Sequence, residues 1–133
     1  MLLVMLLTTT TAWAQETTTP WDQLQAQLDA ASTNAGSPTE ITLTGNVVAP
    51  ADKGYLTIPQ GKYVTLDLNG YGIDRGLESA TVDGYVLRVE GSLTVTDGSG
   101  GNKGKIKGGY NTASAGAFIR ARVGVATPSP VGP

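Results

Sequence analysis

Two acids, Asp67 in VTLDLNG and Asp97 in LTVTDGSG, sit in nearly the same phrase written twice. Acids that recur in this way could flank a glycosidic bond, whose hydrolysis uses a pair of carboxylates. That chemistry also needs the two acids to differ in proton affinity, which repetition alone does not provide. Asp67, Asn69, Asp74 and Asp97 are the best oxygen ligands for calcium, but no EF-hand spacing occurs, and GSGGNKG lacks the acids of a calcium-binding repeat. The chain has no His and no Cys, so typical zinc sites, His-dependent nucleophilic triads and thiol chemistry are all absent. Abstraction of a proton beside a uronate carboxylate would draw on basic residues, and Arg75, Arg88, Lys105 and Lys107 have the right type. The run Gly98 to Lys105, GSGGNKGK, is Gly-rich but does not fit a phosphate-binding loop. No catalytic residue, cofactor or metal ligand is therefore assigned.

Binding without chemistry remains. Five tyrosines, Tyr55, Tyr63, Tyr71, Tyr85 and Tyr110, are spread through the strand-rich region. An exposed ring can stack on a sugar and its hydroxyl can hydrogen-bond. Tyr71 and Tyr110 stand next to turns and are the candidate glycan contacts. Asp67, Asn69, Asp97, Lys105 and Lys107 form a second, polar surface set. Each has a plainer reading. Asn69 and Asp97 suit Asx turns, and tyrosines also cover sheet edges.

The elements that must position these residues are short. Thr19-Pro20-Trp21-Asp22 is a helix start, with Thr19 as cap and Pro20 at the first helical position. Trp21, Leu24, Leu28 and Ala31 then share one face, and Asn34 to Pro38 ends the pattern. After it come β-prone words punctuated by turn residues, at Ile41–Thr44, Leu56–Ile58, Val64–Leu68, Val86–Val89, Leu93–Val95, Ile106 and Phe118–Val123. Leu43, Leu66, Val95 and Ile119 lie 23, 29 and 24 residues apart, with a second series at Ile58, Leu87 and Ile106. This spacing predicts a winding chain that stacks like residues on like, with the helix covering the first open end. The longer interval is explained by a loop inserted at Asp74 to Gly84. The alternative is an antiparallel sandwich with hairpins at Asn69-Gly70 and Asp97-Gly98.

The phrases ITLTGNV, LTIPQGKYVTLDLNGYGI, LRVEGSLTVTDGSG and GKIKGG, behind WDQLQAQLDAA, resemble the N-terminal coils of bacterial secreted right-handed parallel β-helix proteins of pectin-lyase-like architecture, many of them adhesin-like. The resemblance spans Trp21 to Gly109. It implies an all-β fold, a right-handed parallel β-helix of about three coils with an N-terminal amphipathic capping helix. No motif of the family's enzymes maps residue by residue onto this chain.

The expected organisation is a signal peptide over 1–14, either truncated at its start or atypical, an N-terminal segment with the capping helix over 15–35, coils over 36–125 and a Pro-rich linker or tail over 126–133. The apolar run Leu2–Leu7 followed by Ala12-Trp13-Ala14 fits a secretory leader, though the usual basic start is missing and a buried N-terminal segment is the alternative. The apolar run is too short to span a membrane. A net charge of -2 with 15% charged residues gives no bulk attraction to nucleic acid or anionic membrane. The expected product is thus a secreted or cell-surface module of bacterial scaffold or adhesin type, without an enzymatic step, meeting polysaccharide or host-surface glycans. Two alternatives stay open. One is the N-terminal fragment of a pectin-lyase-like polysaccharide lyase or glycoside hydrolase. The other is a structural end cap of a longer repetitive protein.

Overall fold

The computed structural model describes residues 18–112, 114–115 and 119–121. Helix α1 (Pro20–Asp29) comes first. The Thr19 hydroxyl accepts a hydrogen bond from Asp22 N–H at 3.2 Å and donates one to the Asp22 carboxylate at 2.9 Å. That hydroxyl, and then Lys53 at 3.2 Å, holds the Asp22 carboxyl below its ordinary proton affinity. Trp21, Leu24 and Leu28 recur at helical spacing and are buried.

Three parallel sheets follow. The first holds β1 (Thr39–Thr42), β4 (Tyr63–Asp67) and β7 (Ser92–Thr96), with β4 in the middle. The second holds β2 (Val47–Val48), β5 (Gly72–Asp74) and β8 (Lys105–Lys107), with β5 in the middle. The third holds β3 (Leu56–Ile58), β6 (Leu87–Val89) and β11 (Ile119–Ala121), with β6 in the middle. A short antiparallel pair, β9 (Tyr110–Asn111) and β10 (Ser114–Ala115), stands apart.

Period-two alternation decides which residues meet. In β4 the side chains of Val64 and Leu66 are buried, while Tyr63, Thr65 and Asp67 keep partial exposure. Register then places apolar residues side by side. Ile41 stands opposite Leu66 and Leu66 opposite Val95; Val47 stands opposite Ile73 and Ile73 opposite Ile106; Leu56 stands opposite Leu87. These residues and the apolar face of α1 make one core. Full burial of a side chain such as Leu66 stabilises by about 1.5–3 kcal/mol relative to exposure.

The helix also closes a sheet edge. The Gln25 side-chain oxygen accepts from Thr57 N–H at 2.8 Å, and its amide NH2 donates to the Thr57 carbonyl at 3.0 Å. One side chain thus supplies the bonds that a neighbouring strand would give β3. Where the third sheet hands over to the first, backbones crowd. A Cβ on Gly91 would run into the carbonyl oxygens of Pro59 and Lys62. Farther on, Arg75 closes the loop that leaves β5 by donating to the carbonyls of Asp83 at 2.7 Å and Tyr85 at 2.5 Å.

This architecture corrects the expected fold. The described residues form three small, separate parallel sheets and one helix, a small α/β arrangement, and not a right-handed parallel β-helix of about three coils. No sheet among the described residues exceeds three strands. The physical reason is that repeat spacing shows which words are β-prone and recur, but determines neither their exact partners nor how sheets are set around a core. The resemblance to pectin-lyase-like proteins is withdrawn with it. Details also shift. Ile41, not Leu43, faces Leu66, and Ile106 pairs in the second sheet rather than aligning with Ile58 and Leu87. Asn69-Gly70 and Asp97-Gly98 link strands of different sheets, so neither forms the hairpin of a sandwich. The expected leader at 1–14 and tail at 126–133 lie outside the described residues. Of the strand expected at Phe118–Val123, the described part is β11.

Candidate functional site

The recurring acids build turns. Asp67 Oδ1 accepts from Asn69 N–H at 2.9 Å and from Gly98 N–H at 2.7 Å. Asn69 takes a left-handed backbone conformation, φ 50°, and its side-chain NH2 donates to the Leu43 carbonyl at 3.2 Å. Asp97 accepts from Gly104 N–H at 2.7 Å, Gly70 N–H at 2.8 Å and Ser99 N–H at 3.1 Å. Each carboxylate therefore ties one turn to the next. The bonds from Gly104 and then Ser99 lead in lowering the Asp97 carboxyl from the ordinary 3.8 to about 2. An acid held that low is a weak base, and its oxygens are already occupied by the fold. The two arginines considered for proton abstraction are engaged as well. Arg88 donates to the Tyr55 hydroxyl at 2.9 Å and pairs with Glu90 at 2.7 Å, and Arg75 and Arg88 each lie 5.9 Å from the centre of the Tyr55 ring.

A different cluster forms on the outer face of the second sheet. Because Val47, Ile73 and Ile106 point inward, their neighbours point outward. Val48 stands opposite Asp74, and Asp74 opposite Lys107; Gly72 stands opposite Lys105. Gly72 has no side chain, so the face dips there. The depression has a volume of about 290 Å³, with Asn46 and Val48 on one side and Lys103, Lys105 and Lys107 on the other. All three lysines are exposed. Asp74, the single acid lining the groove among the described residues, accepts from Gly76 N–H at 2.8 Å and lies 3.8 Å from Lys107. Among the described residues, Lys103 and Lys105 make no ion pair. Alternate residues along a strand are about 6.6 Å apart, so Lys105 and Lys107 repel each other unless an anion sits between them.

The residues singled out from the sequence thus separate into groups. Lys105 and Lys107 line the groove. Asp67, Asn69 and Asp97 form the turn corner beside it and do not line it. Tyr71 is 36% exposed and lies in the chain between Gly70 and Gly72, two groove residues. Tyr110 is 40% exposed but belongs to β9, where its N–H donates to the Gly84 carbonyl at 2.8 Å, outside the groove. Asn46, Val48, Gly72 and Lys103 were not identified from sequence. Of these only Lys103 left a signal, the alternating lysines of KGKIK.

Among the described residues, no helix is long and apolar enough to cross a membrane, and no three acids gather as a metal site would require. Comparison with protein-family models, with curated proteins and with solved structures finds no match. The adhesin-like scaffold and the lyase or hydrolase fragment both presupposed the β-helix, and the sheet arrangement overturns them together.

Proposed function

We propose that the chain is a recognition module, secreted or at the cell surface, that binds an acidic glycan in the groove of Lys103, Lys105 and Lys107. The supporting observation is the presence of two lysines with no acid partner among the described residues and a third facing one engaged acid across a glycine-floored dip. Carboxylate or sulfate groups would relieve the repulsion among the ammonium groups. Val48, 54% exposed, adds apolar surface for a sugar ring within the groove, and the exposed Tyr71 lies between two groove residues in the chain. Long nucleic acid fits less well, because the chain is net negative and no basic run in its sequence exceeds the spaced lysines of KGKIK. The proposed export draws on the apolar run and Ala12-Trp13-Ala14 near the N-terminus.

The test is calorimetric titration with an oligohexuronate, its uncharged counterpart and a short DNA duplex, at low and high salt. The expected result is binding of the oligohexuronate alone, weakening as salt rises. Equal affinity for the uncharged oligosaccharide, or preference for DNA, would overturn the proposal.

A further inference from the structure

A second depression, of about 260 Å³, lies between α1 and the turn entering β2, and it meets the lysine groove at Asn46, which lines both. Its composition is different. Gln23 and Gln27, one turn apart on α1, form one wall, and Thr44 and Asn46 form the other. Leu24, Leu43 and Val47 lie beneath, and among the described residues no charged side chain lines it. The glutamines contrast with Gln25 of the same helix, whose amide is committed to the backbone of Thr57. Among the described residues, the side chains of Gln23 and Gln27 have no hydrogen-bond partner. Asn46 Oδ1 accepts from Gly72 N–H at 2.9 Å, which leaves its NH2 to donate elsewhere.

An apolar floor rimmed by amides and hydroxyls complements an uncharged pyranose, whose C–H face is apolar and whose edge carries donors and acceptors. We infer that this depression is a second subsite of the same binding surface, taking an uncharged sugar joined to the acidic sugar held by the lysines. The inference rests on the acidic-glycan reading of the groove. The ligand class is then a glycan in which an acidic residue adjoins a neutral one. Asn46 sits at the junction and is placed to contact both.

The experiment compares three probes by calorimetry: a hexuronate–N-acetylhexosamine disaccharide, the hexuronate alone and the N-acetylhexosamine alone. Two double variants are used, Gln23→Ala with Gln27→Ala, and Lys103→Gln with Lys105→Gln. Alanine is a strong helix former and both glutamines are exposed, so the first variant keeps its fold. The glutamine variant is expected to weaken the disaccharide about tenfold, the size of one or two net hydrogen bonds, and to leave the hexuronate unchanged. The lysine variant is expected to weaken both acidic probes. Undiminished disaccharide affinity in the glutamine variant would overturn the second subsite and leave the groove standing. No binding of either acidic probe by the unaltered protein would overturn the groove, and the subsite with it.

Discussion

The turn corner and the lysine groove lie side by side, share Gly70 and use charge in opposite ways. At the corner, Asp67 and Asp97 are filled by backbone N–H groups, and their charge goes into joining one turn to the next. In the groove, Lys103 and Lys105 have no acid partner among the described residues, and Lys107 reaches Asp74 only at 3.8 Å. The same residue classes that looked like chemistry in the sequence thus divide into a part that holds the fold and a part left for a ligand. Removing a committed group should damage stability. Removing an uncommitted one should damage binding alone.

The core beneath both regions should give the largest effect. Leu66 is fully buried between Ile41 and Val95, and Leu66→Ala is expected to cost about 2–5 kcal/mol in denaturant unfolding. A cost no larger than a surface substitution would mean that the corner and the groove do not rest on one core. Next comes Asp97→Ala, which strands three amides at once and should lower the unfolding midpoint well below that of any groove lysine variant. An unchanged midpoint would erase the contrast between the two regions.

Acid should separate them further. The folded Asp97 carboxyl titrates near 2, below its ordinary 3.8, so the unfolded chain takes up that proton first as pH falls. The stabilisation is therefore complete above about pH 4 and is lost as pH drops toward 2. Comparing acid unfolding of the protein with Asp97→Asn measures this, since the variant should show less loss across that window. An identical pH profile would remove Asp97 as the source. The smallest effect on stability belongs to Lys105→Gln, expected within about 0.5 kcal/mol in thermal unfolding. Lysines on an edge strand also guard against edge pairing, so light scattering on this variant would show whether β8 needs that protection.

Much of the local structure could be read from the chain. Thr19 and Pro20 announced the helix, and apolar alternation marked Val64 and Leu66 as inward. Partner choice was harder. Ile106 could be spaced against several apolar words, and only the folded register sets it opposite Ile73. How three sheets meet around a core is not written in the interval between repeats, which is why the β-helix expectation went wrong. The site shows the same limit. Lys105 and Lys107 were visible as residues, but the groove also needs Asn46 and Gly72, brought together across long stretches of chain by β2, β5 and β8. The two tyrosines looked equivalent in sequence, yet Tyr71 falls between two groove glycines and Tyr110 joins β9.

Amide chemical-shift mapping during titration with an oligohexuronate tests the central claim most directly. The predicted result is a set of saturable shifts centred on Gly70 to Asp74 and Lys103 to Lys107, abolished by the Lys103→Gln, Lys105→Gln variant. Saturable shifts centred instead on Tyr110 and the 81–84 turn, or no shifts in the groove at ligand excess, would contradict it.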